Sequence, residues 1–133
     1  MIHTGAQHLC DAAMAEVKTI AADEAIAMHE SQDNLRFIDV RDVRELWREG
    51  TIPGAHHVPR GLLEFWVDPS SPYASAIFTP GCSFIFFCAA GLRSALATKT
   101  VQDMGLGPVS HIGGGFAAWK QHGGKVTTVD KPA

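Results

Sequence analysis

The hydrophobic positions fall in short runs broken by polar, glycine and proline residues. The strongest run, Phe84-Ile85-Phe86-Phe87 after Ser83, is apolar at consecutive positions, which predicts a central strand buried on both faces. Shorter runs predict strands at 18–20 (an edge), 36–40, 56–58 and 109–112. Apolar residues at helical spacing predict helices over 6–16, 23–29, 42–47, 93–104 and 116–121, with a helical turn at 62–66. Gly50 closes the third of these segments, and Gly105 followed by Leu106 closes the long one. Ile52-Pro53-Gly54-Ala55 and Asp68-Pro69-Ser70-Ser71-Pro72 read as turns, and Gly113-Gly114-Gly115 as a flexible one. Short strands alternating with helices predict an α/β domain with a mostly parallel sheet.

Composition narrows this picture. The 133 residues fit one domain, with 46% hydrophobic and 19% charged residues, as in a globular chain able to bury its own core. The expected organisation is an N-terminal helical extension over 1–17, the α/β domain over 18–126 and a tail over 127–133. A net charge of -3 with scattered Lys and Arg leaves no basic footprint for nucleic acid and no polybasic signal for a membrane. No apolar run approaches the ~20 residues of a membrane span. The first residues lack a secretory pattern, so the cytoplasm is the expected location.

The three cysteines, Cys10, Cys82 and Cys88, are too few and too odd in number for a disulfide framework. Cys82 and Cys88 flank the strongest strand and would lie ~20 Å apart along it. That is far beyond disulfide reach. Metal spacings are absent, and the adjacent His56 and His57 would point to opposite faces of a strand, so no metal is expected.

The candidate chemistry lies in Cys88-Ala89-Ala90-Gly91-Leu92-Arg93-Ser94, between the strongest strand and the long helix. Ligands of open parallel sheets bind beyond the carboxyl ends of strands. A cysteine there faces a helix N-terminus, whose free N–H groups and dipole favour an anionic nucleophile. Gly91 can take positive φ and turn the loop's N–H groups inward as a nest. Ala89 and Ala90 leave the mouth open, and Leu92 completes the loop. Arg93 places a positive charge at the far side, suited to recruiting anionic donors. Ser94 can cap the helix with its hydroxyl. Asp39, ending the strand at 36–40, either turns the chain or accepts hydrogen bonds from the Cys88 loop. Arg41 and Glu45 have the spacing of a surface helix pair. Trp119 reads as core and His111 as a satisfied strand residue. Phe65 and Trp66 serve either core packing or the wall of a pocket.

At the Cys88 loop the chain resembles the rhodanese family. The resemblance extends to Phe37-Ile38-Asp39-Val40-Arg41 with Glu45, to Gly50-Thr51-Ile52-Pro53-Gly54-Ala55 with Thr51 in place of the family's usual His, and to Gly113-Gly114-Gly115-Phe116-Ala117-Ala118-Trp119. Four motifs in the family's order span residues 36 to 119. The resemblance implies a five-stranded parallel sheet flanked by helices, with Cys88 as the sulfur-accepting nucleophile. It implies a sulfurtransferase that moves a sulfane sulfur from a donor such as thiosulfate to a thiophilic acceptor, with no cofactor. The partners are then a small-molecule donor and acceptor, or a sulfur-accepting protein if the domain is a relay or a binding module. Cell-cycle-type cysteine phosphatases resemble the same fold but place five residues between Cys and Arg. Here there are four, Ala89 to Leu92, and the residue before the cysteine is Phe87, not His.

Overall fold

The computed structural model describes residues 1–133. Helix α1 (Ala6–Glu16) leads into strand β1 (Thr19–Ile20), α2 (Ala22–Ser31), β2 (Leu35–Asp39) and α3 (Val43–Glu49). Strand β3 (His56–His57), a 3-10 turn (Arg60–Leu62), α4 (Leu63–Val67) and a second 3-10 turn (Ala76–Phe78) follow. The chain then runs through β4 (Ser83–Phe87), α5 (Leu92–Asp103), β5 (Val109–Ile112) and α6 (Gly115–Gln121). The five strands form one sheet in the order β1-β5-β4-β2-β3, and every pairing is parallel. The predicted strands and helices are all present, with ends moved by a residue or two and β3 shorter than expected.

Alternation along the central strand builds two cores. Ile85 and Phe87 point to one face, where they meet Phe37, Ile112, Phe116 and Trp119. Phe84, Phe86 and Cys88 point to the other, against Ile38, Leu63, Ala97 and Val101. Both faces of β4 are therefore covered, as a consecutive apolar run requires. Helix α5 ends as the sequence implies. The Gly105 N–H donates to the Gln102 carbonyl and the Leu106 N–H to the Val101 carbonyl, and Leu106 packs on the core.

The ends of the chain are tied to this frame. Helix α1 packs on α5, and the Cys10 thiol points to the Leu92 carbonyl at 3.7 Å. Thr127 exchanges two backbone hydrogen bonds with Thr51, each 2.9 Å. No helix is long and apolar enough to cross a membrane.

Candidate active site

Register brings two strand ends side by side. Asp39 of β2 pairs with Phe87 of β4, so Asp39 and Cys88 lie at the same edge of the sheet. Cys88 is 1% exposed, and all three cysteines are free thiols. The loop beyond Cys88 turns sharply at Gly91, whose φ of 100° puts it in the left-handed region as anticipated. The turn directs two amides inward. The Gly91 and Ser94 N–H groups donate to Cys88 Sγ at 3.2 and 3.3 Å.

The outer side of the loop is held by α6. The Phe116 and Ala117 N–H groups donate to the carbonyls of Cys88 and Ala89 at 2.8 and 3.1 Å. A Cβ on Gly115 would lie 2.5 Å from the Cys88 carbonyl oxygen, so only glycine admits this approach. The closing glycines are thus a seat for the cysteine loop and not merely a flexible turn. Sequence reasoning missed this role, although the glycine run before Phe116 was its signal.

Ser94 does not cap α5. Gly91 is the N-cap residue, so Ser94 already lies inside the first turn. Its hydroxyl instead meets His111 Nδ1 at 3.0 Å, and His111 Nε2 meets Thr19 Oγ1 at 2.8 Å. His111 is a satisfied strand residue, and burial holds its pKa below the ordinary 6.5.

The expected Arg41–Glu45 surface pair does not form. Arg41 precedes α3 and is wholly buried. Its Nε and Nη2 donate to Asp39 Oδ1 and Oδ2 at 3.0 and 2.8 Å, and Nη2 also donates to the Gly50 carbonyl at 2.7 Å. The guanidinium lies 4.5 Å from the centre of the Phe116 ring, and Nη1 faces the Glu49 carboxylate at 3.5 Å without a hydrogen bond. Asp39 also accepts from the Arg41 N–H on Oδ1 at 3.1 Å and from Thr51 Oγ1 on Oδ2 at 2.8 Å. It therefore turns and braces the chain and accepts nothing from the Cys88 loop.

Glu45 pairs across the site with Arg93, to Nη1 at 2.8 Å and Nη2 at 2.9 Å. The same carboxylate accepts from the Asp42 N–H at 3.0 Å, completing a capping box at the start of α3. The hydrogen bond from Arg93 is the main reason that the Glu45 pKa is lowered, and the Arg93 pKa is correspondingly raised. Arg93 is thus beside the loop as expected, but its charge is already paired. Phe65 and Trp66 line a shallow apolar depression with Leu62 and Tyr73, and no residue of the Cys88 loop borders it.

Known proteins share this architecture. The family model described as a rhodanese-like domain matches residues 21–122. A mouse protein named thiosulfate sulfurtransferase/rhodanese-like domain-containing protein 3 is 29% identical over 107 residues, covering 77% of this chain and 68% of its own. A solved Rhodopseudomonas palustris structure is 49% identical with a TM-score of 0.93, covering 96% of this chain and 97% of its own. It is described as a protein of unknown function and a possible tyrosine phosphatase. The polysulfide-sulfur transferase homodimer of Wolinella succinogenes is 26% identical with a TM-score of 0.68, covering 90% of this chain and 85% of its own.

Proposed function

Because the chain belongs to the rhodanese-like domain family, we propose that it is a sulfurtransferase that carries a sulfane sulfur as a persulfide on Cys88. The observation that carries this reading is the cradle itself, a buried thiol that receives two backbone amides from Gly91 and Ser94. Such donors stabilise an anionic sulfur without a counter-charge, which suits both a thiolate and the persulfide it becomes.

Two displacements account for the cycle. The Cys88 thiolate attacks the outer sulfur of the donor, the donor's S–S bond breaks, and the remainder leaves with the electron pair. From thiosulfate that leaving group is sulfite. An acceptor thiolate, on a small molecule or a protein, then attacks the outer sulfur of the Cys88 persulfide and restores the Cys88 thiolate. Sulfur changes hands without net oxidation, so no cofactor enters. Mouse and Wolinella relatives whose names include sulfur transfer support the class of reaction.

The test is intact mass. Incubation with a sulfur donor should add one sulfur atom, and cyanide or dithiothreitol should remove it. Cys88→Ser should abolish the adduct, whereas Cys10→Ser and Cys82→Ser should retain it. An adduct on the Cys88→Ser protein would overturn the assignment.

A cysteine phosphatase is the second reading, favoured by the description of the Rhodopseudomonas neighbour. Against it stand the four-residue spacing from Cys88 to Arg93 and the engagement of both terminal Arg93 nitrogens by Glu45. A phosphoryl group would need a wider ring and those same nitrogens. Aryl phosphates should be turned over at trace rates or not at all, and strong turnover would reverse the ranking.

A further inference from the structure

We infer that Glu45 is a specificity-determining residue that turns the Cys88 site away from dianionic donors such as thiosulfate and toward organic persulfides, R–S–SH. The inference rests on the proposed persulfide chemistry and concerns only which donor reaches it.

Arg93 is the one charged residue in the loop from Cys88 to Ser94. Left free, it would offset the repulsion between a thiolate and an incoming anion and raise the local anion concentration. It is not free. Glu45 holds both of its terminal nitrogens, while the Arg93 side chain remains 42% exposed and that of Glu45 16%. Glu45 is itself fixed from behind by the Asp42 N–H, so swinging it aside would sacrifice a helix cap as well as an ion pair. The second arginine near the cysteine, Arg41, is wholly buried and spent on Asp39. A dianion arriving at the mouth therefore meets a thiolate and no uncompensated cation.

A persulfide escapes this penalty. The Cys88 thiolate attacks the terminal sulfur of R–S–SH, and the S–S bond breaks. R–S⁻ leaves with the electron pair, and the transferred sulfur keeps its proton as Cys88–S–SH. The incoming reactant carries at most one charge on sulfur, and its R group can lie across Ala89, Ala90 and Leu92, which are neutral.

The experiment measures the rate of Cys88 sulfur loading with thiosulfate and with the persulfide of 2-mercaptoethanol, on wild type and on Glu45→Gln. The amide oxygen introduced by that substitution can still accept from the Asp42 N–H but no longer cancels the Arg93 charge. The ratio of thiosulfate to persulfide rates should rise about 10-fold in Glu45→Gln, a step of ~1.4 kcal/mol. Using a ratio removes any general change in Cys88 reactivity. Wild-type loading by thiosulfate should be flat or rise with ionic strength, because no free cation assists it. An unchanged ratio overturns the inference, as does a steep fall of wild-type thiosulfate loading with salt. The salt profile decides alone if Glu45→Gln does not fold. Absence of loading by either donor instead defeats the underlying sulfurtransferase reading.

Discussion

Two neighbouring strand ends solve the same problem in opposite ways. A buried polar side chain closes β2 and another directly follows β4, Asp39 at 0% and Cys88 at 1% exposure. Asp39 is satisfied mainly by side chains, a forked arginine and a threonine hydroxyl, with one backbone N–H from Arg41 beside them. Cys88 is satisfied by backbone, two amides on sulfur and two more on the carbonyls of the loop. A charge-matched pair is strong only while both charges persist. Backbone amides accommodate a sulfur that gains and loses an atom. The first arrangement suits a brace and the second a reaction centre.

The largest effect should come from breaking the brace. Arg41→Ala leaves Asp39 buried without its partner and should cost about 3–5 kcal/mol in denaturant unfolding. Arg93→Ala removes a partly exposed ion pair and should cost ~1 kcal/mol or less. Equal losses would erase the distinction between an inner structural pair and an outer adjustable one.

Next in size is an attack on the backbone seat. Gly115→Ala puts a methyl against the Cys88 carbonyl at a residue whose φ is +61°, and should cost about 1–3 kcal/mol. Unlike Arg41→Ala, it should also suppress Cys88 loading in the fraction that remains folded, because the loop must move. Undiminished loading in folded Gly115→Ala protein would show that α6 does not position the sulfur.

The smallest effect concerns acid. Burial depresses the His111 pKa, so below the ordinary 6.5 the unfolded chain takes up a proton that the native state refuses. Stability should therefore be full above pH 6.5 and fall as pH drops toward the depressed native value. His111→Gln should flatten that part of the profile, leaving the similar but separate contribution of His56, also depressed by burial. Unfolding midpoints at stepped pH values measure it, and parallel profiles for both proteins would contradict the argument.

The contrast between the strand ends also marks how far the sequence could be read. The sheet and the turn of the Cys88 loop were legible, because Phe84 to Phe87 form one apolar run and Gly91 follows at turn spacing. The pairing of charges was not. Spacing of four suggests Arg41 with Glu45, but α3 begins only at Val43, so Arg41 never shares its face. The partner of Glu45 lies 48 residues away, and nothing local announces it. Ser94 misleads for a related reason. Whether a serine caps a helix depends on the first helical residue, and here that is Leu92. The bond from Ser94 to His111 spans 17 residues and exists only once β5 has joined the sheet.

The seat on α6 carries a consequence for how the protein is made. The carbonyls of Cys88 and Ala89 find their donors at Phe116 and Ala117, far later in synthesis. A ribosome that has released the chain only as far as Ile112 has delivered the cysteine without the helix that shapes its loop. The amides that reach Cys88 Sγ come from Gly91 and Ser94 and leave the ribosome with the cysteine, whereas the seat that holds the loop's carbonyls forms only after β5 has been made.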